Sequence, residues 1–263
     1  MRKYLFIYKT EILSNLQYIF NIIIEFIGYF VMIFIFLNLW KYIYSDPNEL
    51  INGYNVNQMI WYVIITEILW STIKGRSYVK GIVNDVRGGN ITYQINKPYS
   101  YVNYLLFKHL GDCTIRIIIY SILGMITGLV FLHTFPNLNI ISLIAILLTG
   151  ILAITINTLF LTSIGLLSFY MEDSHPLYWL YSKLILIFGV IFPIEYFPKA
   201  IQPILNYSPI FVMNYGPAKL FVDFTWIKFT EIFIGQIIYL IIAYSLCSYI
   251  YKKGVKKLNV NGG

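Results

Sequence analysis

The sequence predicts an all-α integral membrane protein with six transmembrane helices and both termini in the cytoplasm. Three observations carry that expectation. Of 263 residues, 58% are hydrophobic and only 12% are charged, against roughly 25% charged in a soluble domain. The apolar residues gather into runs, and a run of about 20 crosses a hydrocarbon core about 30 Å thick. The Lys and Arg residues fall mostly between alternate runs, as cytoplasmic loops require. A water-soluble enzyme is excluded by the apolar surface. Disorder is excluded by the same hydrophobicity.

The spans are expected at residues 22–40, 56–72, 114–132, 138–170, 177–197 and 227–250. The second is the shortest. The fourth exceeds one untilted crossing, so it tilts, protrudes, or bends near Gly150 or Asn157. The first is too long for the apolar part of a signal peptide, and no small-residue cleavage site follows it. With both ends inside, only Lys41, Lys199, Lys219 and Lys228 of the 19 basic residues lie outside. The opposite orientation inverts that ratio. The net charge of +7 therefore reads as orientation signal and lipid-headgroup contact, with no nucleic acid implied. The chain reads as one membrane domain over residues 1–263.

Four segments are not spans. Residues 1–20 place Leu5, Tyr8, Ile12, Leu16 and Ile19 on one helical face, which suits an amphipathic helix in the inner interface. A cytosolic extension of the first span is the alternative. The long cytoplasmic loop, 74–109, contains a short helix with Val79, Ile82, Val83 and Val86 on one face and Lys80, Asp85 and Arg87 off it. Gly88-Gly89 stops it, and Lys97-Pro98 breaks the chain before residues 99–109 lead into the third span. Such a helix suits docking; a basic loop that only fixes topology is the other reading. Residues 192–226 hold Pro193, Pro198, Pro203, Pro209 and Pro217, too broken for a span yet too apolar for a solvated loop. Short helices re-entering the outer leaflet fit it, as does a surface cap. Residues 251–263 form a basic tail.

Glu25 and Glu67 fall within spans, where a carboxylate is tolerated only when paired, neutralised or facing water. Structural pairing, with Lys74 and Arg76 as partners below Glu67, stands beside a pathway role. Asp112 and Arg116, four apart, pair on one helix face. Asn157, Thr158, Thr162 and Ser163 form a polar streak suited to interhelical hydrogen bonds. His109, His133 and His175 are scattered, without HExxH, so a metal site is not expected. Cys113 and Cys247 read as buried apolar thiols. No GxxxxGK[ST] is present, so any ATP is used by another chain.

The order of segments resembles the type-2 ABC transporter permeases. The stretches that carry the resemblance are IVNDVRGGNITYQINKP at 82–98, FPIEYFPKAIQPILNYSPI at 192–210 and the tail YKKGVKKLNVNGG at 251–263. The resemblance implies a non-catalytic, membrane-spanning subunit of an ATP-driven exporter in a bacterial cytoplasmic membrane. It implies a second permease, identical or related, and two copies of a separate ABC ATPase that binds ATP and Mg. The coupling residues become Tyr78, Lys80, Ile82, Asp85, Arg87, Gly88 and Asn90, and Pro198, Pro203 and Pro209 an outer re-entrant gate. Glu25, Glu67 and Asn157 are candidate pathway polar groups, and lipid, peptide or drug-like molecules candidate cargo. An ion-coupled carrier or channel using Glu25 and Glu67 is the alternative. The short segment between the first two spans, residues 41–55, departs from family members with bulky outer domains.

Overall fold

The computed structural model describes residues 2–44, 46 and 49–261, with side chains placed to Lys257. Gly262 and Gly263, at the end of the expected tail, lie outside the described residues. The described chain is helical, with one isolated bridge, Ile51–Tyr54, and no strand among the described residues. Four helices are long and apolar enough to cross a membrane: α2 (Ile19–Ile43), α6 (Tyr101–Leu132), α7 (Ile140–Leu166) and α11 (Trp226–Asn261). Two further apolar helices are shorter, α3 (Val56–Thr72, 17 residues) and the apolar stretch His175–Ile191.

The order begins with α1 (Arg2–Gln17), divided from α2 only at Tyr18. It docks along α6, where Tyr8 donates its hydroxyl to Thr114 at 2.8 Å and Tyr4 stacks on Phe107. The inward face is Tyr4, Tyr8, Glu11 and Asn15, all half-buried. Leu5 and Leu16 of the expected apolar stripe are exposed. Tyr8, Ile12 and Ile19 of that stripe are half-buried, so the docked face overlaps the expected one in part. Gly111 explains the docking: a Cβ there would lie 2.7 Å from the Tyr8 carbonyl oxygen, so only glycine lets the two backbones approach.

Helix α3 occupies the expected residues and starts on a capping box between Asn55 and Gln58. Thirteen of its residues, from Val56 to Thr72, are buried. A helix enclosed by protein need not be uniformly apolar, which accounts for Gln58, Thr66 and Glu67 within it. Helix α4 (Gly75–Arg87) and α5 (Ile91–Ile95) follow. Gly88 keeps an ordinary right-handed φ of −76°, and the left-handed residue is Gly89, at φ +74°. The glycine stop thus works one position later than Gly88, in the αL position that glycine adopts without a Cβ penalty.

Helix α6 runs unbroken for 32 residues, about 48 Å at 1.5 Å per residue. The stretch 99–109 is thus mostly a helical extension of the third expected span. Helix α7 passes Gly150 and Asn157 without a break and ends in a 3-10 turn, Leu167–Phe169. Helix α8 (His175–Ile185) continues through a π-turn, Leu186–Ile191, and stops there. The helix ends six residues short of the end of the fifth expected span. The cause is Pro193, which holds Phe192 extended at ψ 135°. Helix α11 carries on past the sixth expected span, so residues 251–261 of the basic tail are helical.

Between α8 and α11 the proline-rich segment folds into a 3-10 turn (Ile194–Tyr196), α9 (Gln202–Asn206), a π-turn (Phe211–Tyr215) and α10 (Gly216–Val222). Residues 209–222 form one continuous helix with Pro217 inside it. The π-turn just before Pro217 widens the backbone where proline lacks an N–H and would clash with the preceding turn. Val212 through Ala218 are buried in that helix, among α3, α7 and α11.

Candidate functional site

The α4 region joins a solvent-facing surface to the long helices. Its apolar positions face inward as their spacing predicts: Val79, Ile82, Val83 and Val86 are all buried. Ile82 sits on Gly165 of α7, where a Cβ would lie 2.8 Å from the Ile82 Cβ. Tyr78 reaches deeper. The Thr162 hydroxyl already donates to the Thr158 carbonyl at 2.7 Å, so Tyr78 donates to Thr162, also at 2.7 Å. Burial raises the Tyr78 phenol above its ordinary range, which keeps it a donor. Its ring lies over the buried His109 ring, centroids 4.0 Å apart. The His109 Nδ1 in turn meets the Thr158 hydroxyl at 3.0 Å.

The outward side is different. Lys80, Arg87, Gly88 and Asn90 are exposed, and Tyr93 beyond them is 75% exposed. Asp85 is half-buried and accepts a 3.0 Å hydrogen bond from Tyr101 at the start of α6. Of the seven sequence-derived coupling residues, four thus face solvent. Tyr78 and Ile82 face α7, and Asp85 ties the end of α4 to α6.

The candidate pathway groups do not come together. Glu25 pairs with Lys74 and, at 3.0 Å, with Arg116, which also holds Asp112 at 3.0 Å. That network links α2, α6 and the entry to α4, and Arg116 is its buried centre. Lys74 is therefore bonded to Glu25 and not to Glu67. Glu67 is 2% exposed, with one carboxylate oxygen lacking a hydrogen-bond partner among the described residues. The Tyr29 hydroxyl likewise has no hydrogen-bond partner among the described residues. Asn157 accepts from Tyr181 at 2.9 Å and fastens α7 to α8.

At the opposite end, Pro198 and Pro203 are exposed and Pro209 is half-buried at the start of the 209–222 helix. Sequence reasoning missed the polar cluster beside them. Glu195 accepts from Tyr54 at 3.1 Å and Tyr215 at 2.7 Å, and pairs with Lys219 at 3.0 Å. Lys219 also donates to Tyr54 at 2.8 Å and lies over its ring. Asp223 pairs with Lys228 and more distantly with Lys219. Burial pushes the Asp223 carboxyl up, but the two lysines outweigh it and hold it below its ordinary range. The available signal was a lone carboxylate, Glu195, and a lone amine, Lys219, within an otherwise apolar segment.

No group of three or more His, Cys, Asp or Glu side chains among the described residues could hold a metal ion. The chemistry on hand is mechanical and electrostatic: a charged outer face on α4, backed by tight contacts to α7. No curated protein sequence matches the chain. A family model described as ABC-2 family transporter protein matches residues 13–262, nearly the whole chain. The chain is a membrane protein that belongs to the ABC-2 transporter family, the membrane components of ABC transporters.

Proposed function

We propose that this chain is the non-catalytic, membrane-spanning permease subunit of an ATP-driven exporter in a bacterial plasma membrane. Six helices cross the membrane in this reading: α2, α3, α6, α7, the stretch His175–Ile191, and α11. Both termini and α4 lie in the cytoplasm, and α1 lies in the inner interface. Two permeases, identical or related, enclose the path, and two separate ABC ATPases bind ATP and Mg. The outer helices with Pro198, Pro203 and Pro209 re-enter the outer leaflet as a gate. A lipid, peptide or drug-like molecule is the cargo.

One observation supports the reading most: the end of α4 and the turn after it present a solvent-facing edge at Arg87 and Asn90, while the inner edge of α4 presses on α7 through Ile82 and Tyr78. A short helix built this way moves as a unit. Force applied by an ATPase to Arg87 or Asn90 reaches α7 at Thr162 and Gly165, and α6 through Asp85 and Tyr101. The charged edge supplies partner choice. Reversing Arg87 to Glu should reduce recovery of the ATPase with the purified permease while membrane insertion stays normal. Unchanged recovery would refute the docking assignment.

The second reading, an ion-coupled carrier, draws its support from Glu67 alone, a buried intramembrane carboxyl without a cation partner among the described residues. Sealed vesicles with an imposed ion gradient and no nucleotide separate the two. Uptake under those conditions favours the carrier.

A further inference from the structure

A cleft of about 510 Å³ opens where α3 ends and α4 begins, within the ~300–1,000 Å³ of ordinary ligand sites. Its walls carry Lys74, Arg76 and Lys80 together with Trp70, Tyr120 and Tyr178, and no carboxylate lines it. Lys74 is taken by Glu25. Arg76 and Lys80 are exposed and make no ion pair among the described residues. They stand four apart on α4, so both heads project from the same helix face.

Two uncompensated cations above three amphipathic aromatic rings is a combination with a definite chemical complement. The ligand needs a compact anion to span Arg76 and Lys80. It also needs an apolar body to lie against Trp70 and Tyr178, residue types that favour the headgroup level of a bilayer. We propose that this cleft binds the phosphate headgroup of an anionic phospholipid from the cytoplasmic leaflet, with Arg76 and Lys80 on the phosphate. The bound lipid braces the root of α4, at the end remote from Arg87 and Asn90. The assignment rests on α4 lying at the cytoplasmic surface. Free phosphate shares the anionic chemistry but lacks the apolar body. An acidic ATPase loop would compete for the same cations.

The test uses the full chain purified in detergent, with bound phosphatidylglycerol counted by native mass spectrometry. Phosphatidylcholine and inorganic phosphate form the comparison arms. Each basic side chain near an anionic surface is worth ~1 kcal/mol, about fivefold in affinity. The double variant Arg76→Gln, Lys80→Gln should bind phosphatidylglycerol about 25-fold more weakly, near the phosphatidylcholine level. Arg76→Lys with Lys80→Arg should retain binding. Lys97→Gln, an exposed cation outside the cleft, should change nothing. Wild-type affinity in the double glutamine variant overturns the proposal. So does displacement of the lipid by millimolar phosphate, which would mark a soluble-anion site. Loss of ATPase recovery with lipid binding intact also overturns it, and assigns the cations to docking. If instead Arg87→Glu leaves ATPase recovery unchanged while the cleft still selects phosphatidylglycerol, the coupling reading fails and the lipid site stands.

Discussion

Ile82 of α4 rests directly on Gly165 of α7, with no room between them for even a methyl group. The contact makes α4 and α7 one packed unit at the point where α4 meets the long helices. Gly165→Ala should therefore overpack the joint and destabilise the protein by about 1–3 kcal/mol, read as a lower thermal unfolding temperature in detergent. Adding Ile82→Ala removes the Cδ1 and Cγ2 atoms 3.0 Å away but keeps the Cβ at 2.8 Å, so the double variant should lose less than the sum of the two single losses without regaining wild-type stability. Additive losses in the double variant would show that the two residues do not share one contact.

Tyr78→Phe removes one buried donor but leaves the Thr162 hydroxyl bonded to the Thr158 carbonyl. The stability loss should be modest, about 0.5–1.5 kcal/mol. The functional loss should be larger. In the assembled transporter, ATP hydrolysis should continue while its coupling to transport falls. A variant that transports normally would show that Tyr78 only packs.

Glu67→Gln keeps the size of the buried side chain and removes its capacity to ionise at a site with no ion-pair partner among the described residues. An uncompensated carboxylate in a low-dielectric site costs several kcal/mol, so the amide should leave the unfolding temperature unchanged or raised. Under the ABC reading, nucleotide-driven transport survives. Loss of transport with the fold intact would favour the ion-coupled reading.

Asp223 gives a pH prediction at the opposite end. Its folded carboxyl is held below its ordinary value of 3.8 by Lys228 and Lys219. A group lowered on folding adds stability that is complete above its unfolded value and is lost as pH falls through the folded one. Acid unfolding curves should therefore show a loss below about pH 4 that Asp223→Asn removes. Identical acid limbs in the two proteins would contradict the pairing. Because Asp223 is part-exposed, the effect should be small.

Much of the architecture was legible because apolar runs and glycine or proline breaks are local signals. Helix α3 begins and ends where its apolar run does, and the buried face of α4 follows its spacing. The Asp112–Arg116 pair needed only helix geometry. What was not legible depends on tertiary neighbours. In a membrane chain, apolar residues face both protein and lipid: Ile118, Ile144 and Ile241 are exposed while Ile33, Ile60 and Ile156 are buried. Periodicity alone therefore cannot tell which side of α1 docks, and its inner face carries Glu11 and Asn15. The Glu25–Arg116 bond crosses from α2 to α6, and the Tyr54–Glu195–Lys219 cluster joins three distant segments. The early stop at Ile191 of the π-turn that continues α8 was local, and Pro193 was the signal for it.

Under the permease reading, α4 receives work from a separate ATPase. The most direct measurement puts a photoreactive side chain at Asn90, exposed just past α4, and a second at Tyr207, 84% exposed beside α9. Cross-linking in native membranes should join the Asn90 position, and not the Tyr207 position, to a chain bearing a Walker A motif, with yield that changes on adding ATP. Absence of such a chain at Asn90, or equal capture at both positions, would contradict the account.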